Sequence, residues 1–183
     1  MVTVSRLQLT DRNLILTGYI EPNKPRIGRQ VAEQLKMPFI DIEERIQDRM
    51  GEGIEDLRET FGERHLKTVE DELMAEMILH RNSVLRINGS ILAQSSYLPR
   101  LQETGAVICL VARLDAILQK MHLTLGARYH DPNERGFELG KLRREWAIRK
   151  HANIHEIDAT YLNETAMIDA IIDFWQEVGI ARI

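Results

Sequence analysis

An apolar run, a loop carrying glycine and lysine, and an amphipathic stretch follow one another between Asn13 and Leu35. Asn13-Leu14-Ile15-Leu16-Thr17 has the length of a buried strand. The sequence from Gly18 to Arg29 is GYIEPNKPRIGR, and Ile27, Val31 and Leu35 behind it recur at helical spacing. A strand that feeds a helix through such a loop is where phosphate-binding loops sit. They follow G-x-x-x-x-G-K-[ST], with backbone N–H groups and the helix N-terminus facing the phosphates. Gly18 and Lys24 stand at the required separation, but Asn23 replaces the second glycine and Pro25 the Ser/Thr. The context is that of a phosphate loop; its chemistry is altered.

The same alternation continues along the chain. Met37 to Ile40 reads as a second strand, ending on Asp41 and Glu43, and Ile42, Ile46 and Met50 mark a helix closed by Gly51 and Gly53. Helices are expected over Ile54–Phe61, from Glu63 to about His80, and over Leu92–Gln102. Val84-Leu85-Arg86-Ile87 and Ala106–Val111 read as the third and fourth strands, and Leu114, Leu118 and Met121 as the next helix. From His122 to Gly140 the periodicity disappears among Gly126, Pro132, Gly136 and Gly140, so this segment reads as a long loop of the kind that forms lids. A basic helix over Lys141–His151, a strand at His155–Asp158 and a helix over Asn163–Val178 complete the chain. Five short strands alternating with helices predict one α/β domain over residues 1–183, a three-layer sandwich with a five-stranded parallel sheet.

Composition narrows the function classes. With 44% hydrophobic and 28% charged residues and a net charge of −4, the chain is an ordinary globular one without the basic surplus of a nucleic-acid binder. No apolar run approaches the ~18 residues of a membrane span. The start of the chain lacks the basic and apolar regions of a signal peptide, and the lone Cys109 lies in an apolar run, so a cytoplasmic protein is expected. His151 and His155 have a metal-ligand spacing but straddle an expected helix–strand junction.

Five elements in order resemble the shikimate kinases, small phosphotransferases of the P-loop kinase fold. They are Ile27-Gly28-Arg29 after the loop; Asp41-Ile42-Glu43 with Ile46 and Gly51; Ile54-Glu55-Asp56-Leu57-Arg58; Gly62 to Glu70; and Asn88-Gly89-Ser90 at a strand end. The resemblance implies ATP and Mg2+ as cofactors and a small polyol acid as phosphate acceptor. It implies nucleotide binding by Gly18, Asn23, Lys24 and Arg26, and catalytic roles for Lys24, Asp41 and Glu43. Asp41 would lie near the metal, and Glu43, Lys67, Gly89 and Arg149 near the acceptor. The lid would span about 122–140 and carry Arg128 and Arg135.

Several of these positions depart from the family pattern. Glu21 places a carboxylate where the family has glycine; at ~5 Å and an effective dielectric of ~20, its repulsion from each phosphate charge is at most roughly 3 kcal/mol. Pro25 removes an N–H from the phosphate nest and the hydroxyl that would hold magnesium. Lys67 stands for an arginine that clamps a carboxylate with two parallel bonds, which an ammonium cannot reproduce. Asn88-Gly89-Ser90 keeps only the central glycine of a triple-glycine strand end.

Two readings follow. One is a binding or regulatory pseudoenzyme with an eroded ATP and magnesium site, requiring no cofactor and acting on an unidentified protein partner. The other is an active ATP-dependent kinase for shikimate or a similar acid, in aromatic amino-acid biosynthesis. Neither reading involves nucleic acid or a membrane, and both leave monomer or homo-oligomer open. A nucleic-acid role for the basic segment around Trp146 is the remaining, weaker alternative.

Overall fold

The computed structural model describes residues 11–18 and 25–180. In chain order, β1 (Asn13–Gly18) leads to α1 (Arg26–Leu35), β2 (Phe39–Asp41), α2 (Ile42–Met50) and α3 (Ile54–Met77). Then come β3 (Val84–Arg86), α4 (Gly89–Gln94), α5 (Leu98–Thr104), β4 (Gly105–Val111) and α6 (Leu114–Leu125). A 3-10 turn (Gly126–His130), α7 (Pro132–Glu145), a second 3-10 turn (Trp146–Lys150), β5 (Ile154–Asp158) and α8 (Glu164–Ile180) end the chain.

The five strands form one sheet in the order β2-β3-β1-β4-β5, every pairing parallel. β1 is central, and its six residues are buried. Its run is apolar throughout because both faces are covered. Ile15 packs with α2 and α3 residues such as Ile42, Leu57 and Leu73 on one side, whereas Leu14 and Leu16 pack with Val31 of α1 and Ile171 of α8 on the other. The three-layer α/β fold expected from the strand–helix alternation is therefore the fold observed. The chain leaves β1 for β2 on one side and crosses from β3 to β4 on the other, so the carboxyl end of β1 is the switch point where sheets of this kind bind ligands.

The expectation of a long loop over 122–140 is corrected: most of it is helical. α6 runs on to Leu125, and α7 starts at a well-formed cap. The Asp131 carboxylate accepts from Asn133 N–H at 2.8 Å, and Pro132 occupies the first turn. Gly136 lies inside this helix with open space where a Cβ would be. The helix escaped the periodicity test because Leu142 is its sole buried residue. Ile117, Met121 and Leu142 form a small separate core that ties α6 to α7.

Smaller differences have local causes. Leu92–Gln102 is split into α4 and α5 around Ser95–Tyr97. The basic helix expected over Lys141–His151 is the last turn of α7 followed by a 3-10 turn. The two helices expected on either side of Gly62 form a continuous run with a break at that residue, whose φ of 81° and ψ of 166° are not helical. No helix is long and apolar enough to cross a membrane among the described residues.

Candidate functional site

The carboxyl ends of β1, β2 and β3 and the C-terminal end of α7 surround a cleft of about 380 Å3. β1 contributes Gly18 at a φ of +90°, where a Cβ would come within 2.3 Å of the Leu110 carbonyl oxygen. Only glycine combines that backbone with that approach. β2 contributes Asp41, which is also the N-cap of α2: its Oδ1 accepts from the N–H groups of Glu43 at 2.8 Å and Glu44 at 3.3 Å. The residue after this cap, Ile42, is buried, so the following acid, Glu43, turns back into the cleft.

β3 supplies a cation. Arg86 Nη1 donates to Asp41 Oδ2 at 2.7 Å and lies 3.6 Å from Glu43 Oε2. Asn88 Nδ2 donates to the other Glu43 oxygen, Oε1, at 2.6 Å. The Asp41 side chain has no exposed surface and that of Arg86 keeps 14%. Burial raises the Asp41 carboxyl above its ordinary value, against the pull of Arg86 and the two N–H donors. Burial also works against the Arg86 charge, but Asp41, Glu43 and Glu145 together hold its pKa above the ordinary range.

The strand end at Asn88–Ser90 is engaged from α7. Glu145 Oε2 accepts from Gly89 N–H at 2.8 Å and Oε1 from Ser90 Oγ at 3.2 Å. The two chains touch closely: a Cβ on Gly89 would lie 2.0 Å from the Glu145 carbonyl oxygen. Burial raises the Glu145 carboxyl, with the Gly89 and Ser90 donors opposing it.

The cleft has no surplus of positive charge among the described residues. Six carboxylates (Glu43, Glu55, Asp56, Glu70, Glu138 and Glu145) line it with four cations (Arg58, Arg86, Lys141 and Arg144). Three of the cations are tied to those or neighbouring acids: Arg58 to Glu55 at 2.7 Å, Lys141 to Glu138 at 3.4 Å, and Arg86 to Asp41.

The residues singled out from the sequence divide accordingly. Gly18, Asp41, Glu43 and Gly89 come together at this edge. Lys67 pairs with Asp71 at 3.4 Å on the surface of α3 and does not line the cleft. Arg149 is held by Glu156 of β5 through bonds of 2.7 and 2.9 Å and also stays outside it. Arg128 lines a neighbouring cleft of about 610 Å3 and pairs with Glu134, while Arg135 lies over the Tyr129 ring at 5.5 Å. Arg26 forms an ion pair with Glu164 of α8. Asn23 and Lys24 lie outside the described residues. Sequence reasoning missed Arg86 and Glu145. A charge inside the otherwise apolar Val84–Ile87 run was the available signal for Arg86, because a buried charge requires a partner.

Magnesium does not fit the acid pair as it stands. Both Asp41 oxygens have donors, Pro25 offers neither hydroxyl nor N–H, and no group of three metal-binding side chains converges among the described residues. For ATP, the described part of the cradle is Gly18 and the start of α1 behind Pro25, whose carbonyl accepts from Arg29 N–H at 3.2 Å.

The family model for shikimate kinase matches residues 23–176. The chain is 26% identical over 131 residues to the shikimate kinase of Thermodesulfovibrio yellowstonii, covering 70% of this chain and 76% of that one. It is 28% identical over 110 residues to that of Thermoanaerobacter pseudethanolicus, covering 60% of this chain and 64% of the relative. Among solved structures, shikimate kinase from Bacteroides thetaiotaomicron superposes with a TM-score of 0.72 at 21% identity, over 91% of this chain and 97% of that one. Shikimate kinase from Acinetobacter baumannii in complex with shikimate superposes with a TM-score of 0.68 at 23% identity, over 95% and 94%. At these identities the structural likeness establishes the fold alone.

Proposed function

The chain belongs to the shikimate kinase family, and we propose that it is a member that binds without transferring phosphate, a regulatory or scaffolding protein on a kinase fold. The observation that carries this reading is the Glu145 carboxylate on the Gly89–Ser90 turn. The resemblance assigns that turn to the acceptor. Here its N–H and hydroxyl already have a partner, so an acceptor arriving there would have to displace the Glu145 carboxyl. The two cations that would hold the acceptor's carboxylate, Lys67 and Arg149, are engaged by Asp71 and Glu156 instead. Pro25 supports the same conclusion on the nucleotide side.

A second reading, an active ATP- and Mg2+-dependent kinase, is favoured by Lys24 at its family position and by relatives named shikimate kinases. Calorimetric titration with shikimate, with and without ATP and magnesium, separates the two. The proposal expects no heat of shikimate binding up to millimolar concentration in either condition. Saturable shikimate binding that MgATP strengthens would establish the second reading.

A further inference from the structure

The acid pair at the ends of β2 and α2 holds a cation already, and that cation belongs to the chain. All four carboxylate oxygens of Asp41 and Glu43 face internal donors. Asp41 Oδ1 takes two backbone N–H groups, Asp41 Oδ2 takes Arg86 at 2.7 Å, Glu43 Oε1 takes Asn88 at 2.6 Å, and Glu43 Oε2 faces Arg86 at 3.6 Å. The guanidinium reaches the pair from the adjacent strand, since Asp41 and Arg86 are register partners in the β2–β3 pairing. Its position is therefore set by the sheet and not by a mobile loop. We infer that Arg86 stands in the place of the divalent cation and makes this edge of the fold closed to Mg2+.

The electrostatics are one-sided. A fixed guanidinium between two carboxylates halves the charge that would draw a divalent ion, and an ion beside it would meet like charge. Arg86 also occupies one acceptor direction of Asp41 Oδ2, and Asp41 Oδ1 is taken up by two backbone N–H groups, so few acceptor sites are left for a hard cation that needs about six or more oxygen ligands. Removing the guanidinium leaves Asp41 and Glu43 facing the place it occupied, two carboxylates with an uncompensated charge. The inference concerns cation binding at this edge alone; it agrees with the first functional reading and opposes a kinase whose Mg2+ lies at Asp41.

Electron paramagnetic resonance of Mn2+, used as the probe for the divalent site, tests it on the full chain. Wild-type protein is expected to leave Mn2+ free up to millimolar concentration. Arg86→Met is expected to bind one Mn2+ at least tenfold more tightly than wild type, and Asp41→Asn added to that variant to abolish the gain. Arg86→Gln, which keeps a donor for Asp41 while removing the charge, gives the same comparison with less disturbance of the fold. Thermal denaturation supplies a second readout: Mn2+ should raise the melting temperature of the Arg86 variants and leave that of wild type unchanged. Mn2+ binding by wild type that disappears in Asp41→Asn overturns the inference. So does a folded Arg86 variant with no gain in Mn2+ affinity.

Discussion

Arg86 and Glu145 give this edge its electrostatic character: Arg86 pairs with the Asp41 carboxylate, and Glu145 accepts from the Gly89–Ser90 turn. A buried ion pair such as Asp41–Arg86 is weak evidence for stability, because desolvating both charges offsets most of their attraction. Its consequence is local order: it fixes the β2 end, the α2 cap and Glu43 in one arrangement. Glu145 carries a prediction with a definite sign. Its carboxyl has an ordinary value of 4.5 and is raised in the folded state, chiefly by burial. Above pH 4.5 the unfolded chain has lost that proton while the native chain still holds it, so stability falls as pH rises through this window. Asp41 and Glu70 are raised in the same sense and add to the slope. Glu145→Gln keeps an acceptor for the Gly89 turn and removes one of the three contributions. Urea denaturation midpoints measured from pH 4.5 to neutrality should fall less steeply for Glu145→Gln than for wild type; an unchanged slope would mean that Glu145 is not the group responsible. Cys109 takes no part in this edge, since burial pushes its thiol up to about 12 and leaves it an inert core residue.

The elements explain what was and was not readable in the sequence. Each strand bounded by turn residues was legible because a parallel sheet buried on both faces leaves continuous apolar runs, as in Leu14–Leu16 and Val107–Val111. The break at Gly62 was legible from the glycine itself. α7 was not: a helix that buries Leu142 alone has almost no apolar stripe, and Gly136 and Gly140 inside it imitate loop composition. Two glycines now separate the readings. At Gly62 the φ of 81° and ψ of 166° lie where side chains are strained, with open space around it, so Gly62→Ala should destabilise by about 1–3 kcal/mol through the backbone alone. At Gly136, exposed within a helix and also in open space, Gly136→Ala should stabilise by about 0.5–1 kcal/mol. Chemical denaturation of both variants checks the pair, and a destabilised Gly136→Ala would argue for a loop at that position.

At the scale of the whole molecule, a five-stranded sheet brings residues from far apart in the chain to one edge. The place of Asp41 and Glu43 at a strand end was readable in the sequence, because an acid that ends a strand and starts a helix is a local pattern, whereas their roles came from the resemblance. The contact of Gly89 with Glu145 spans 56 positions, and no local pattern announces it. Lys67, Arg128, Arg135 and Arg149 were carried over by resemblance, yet their side chains pair or stack with this chain's own neighbours outside the cleft. The fold was thus legible nearly throughout, whereas the site depended on pairings that only the folded sheet reveals. The central claim is that this site has exchanged its ligands for the chain's own side chains. A single-turnover experiment with excess protein, γ-labelled ATP, magnesium and shikimate tests it most directly. The account predicts no labelled shikimate phosphate above the protein-free blank. Labelled product whose formation is lost in Lys24→Ala would contradict it and would establish the chain as a working kinase.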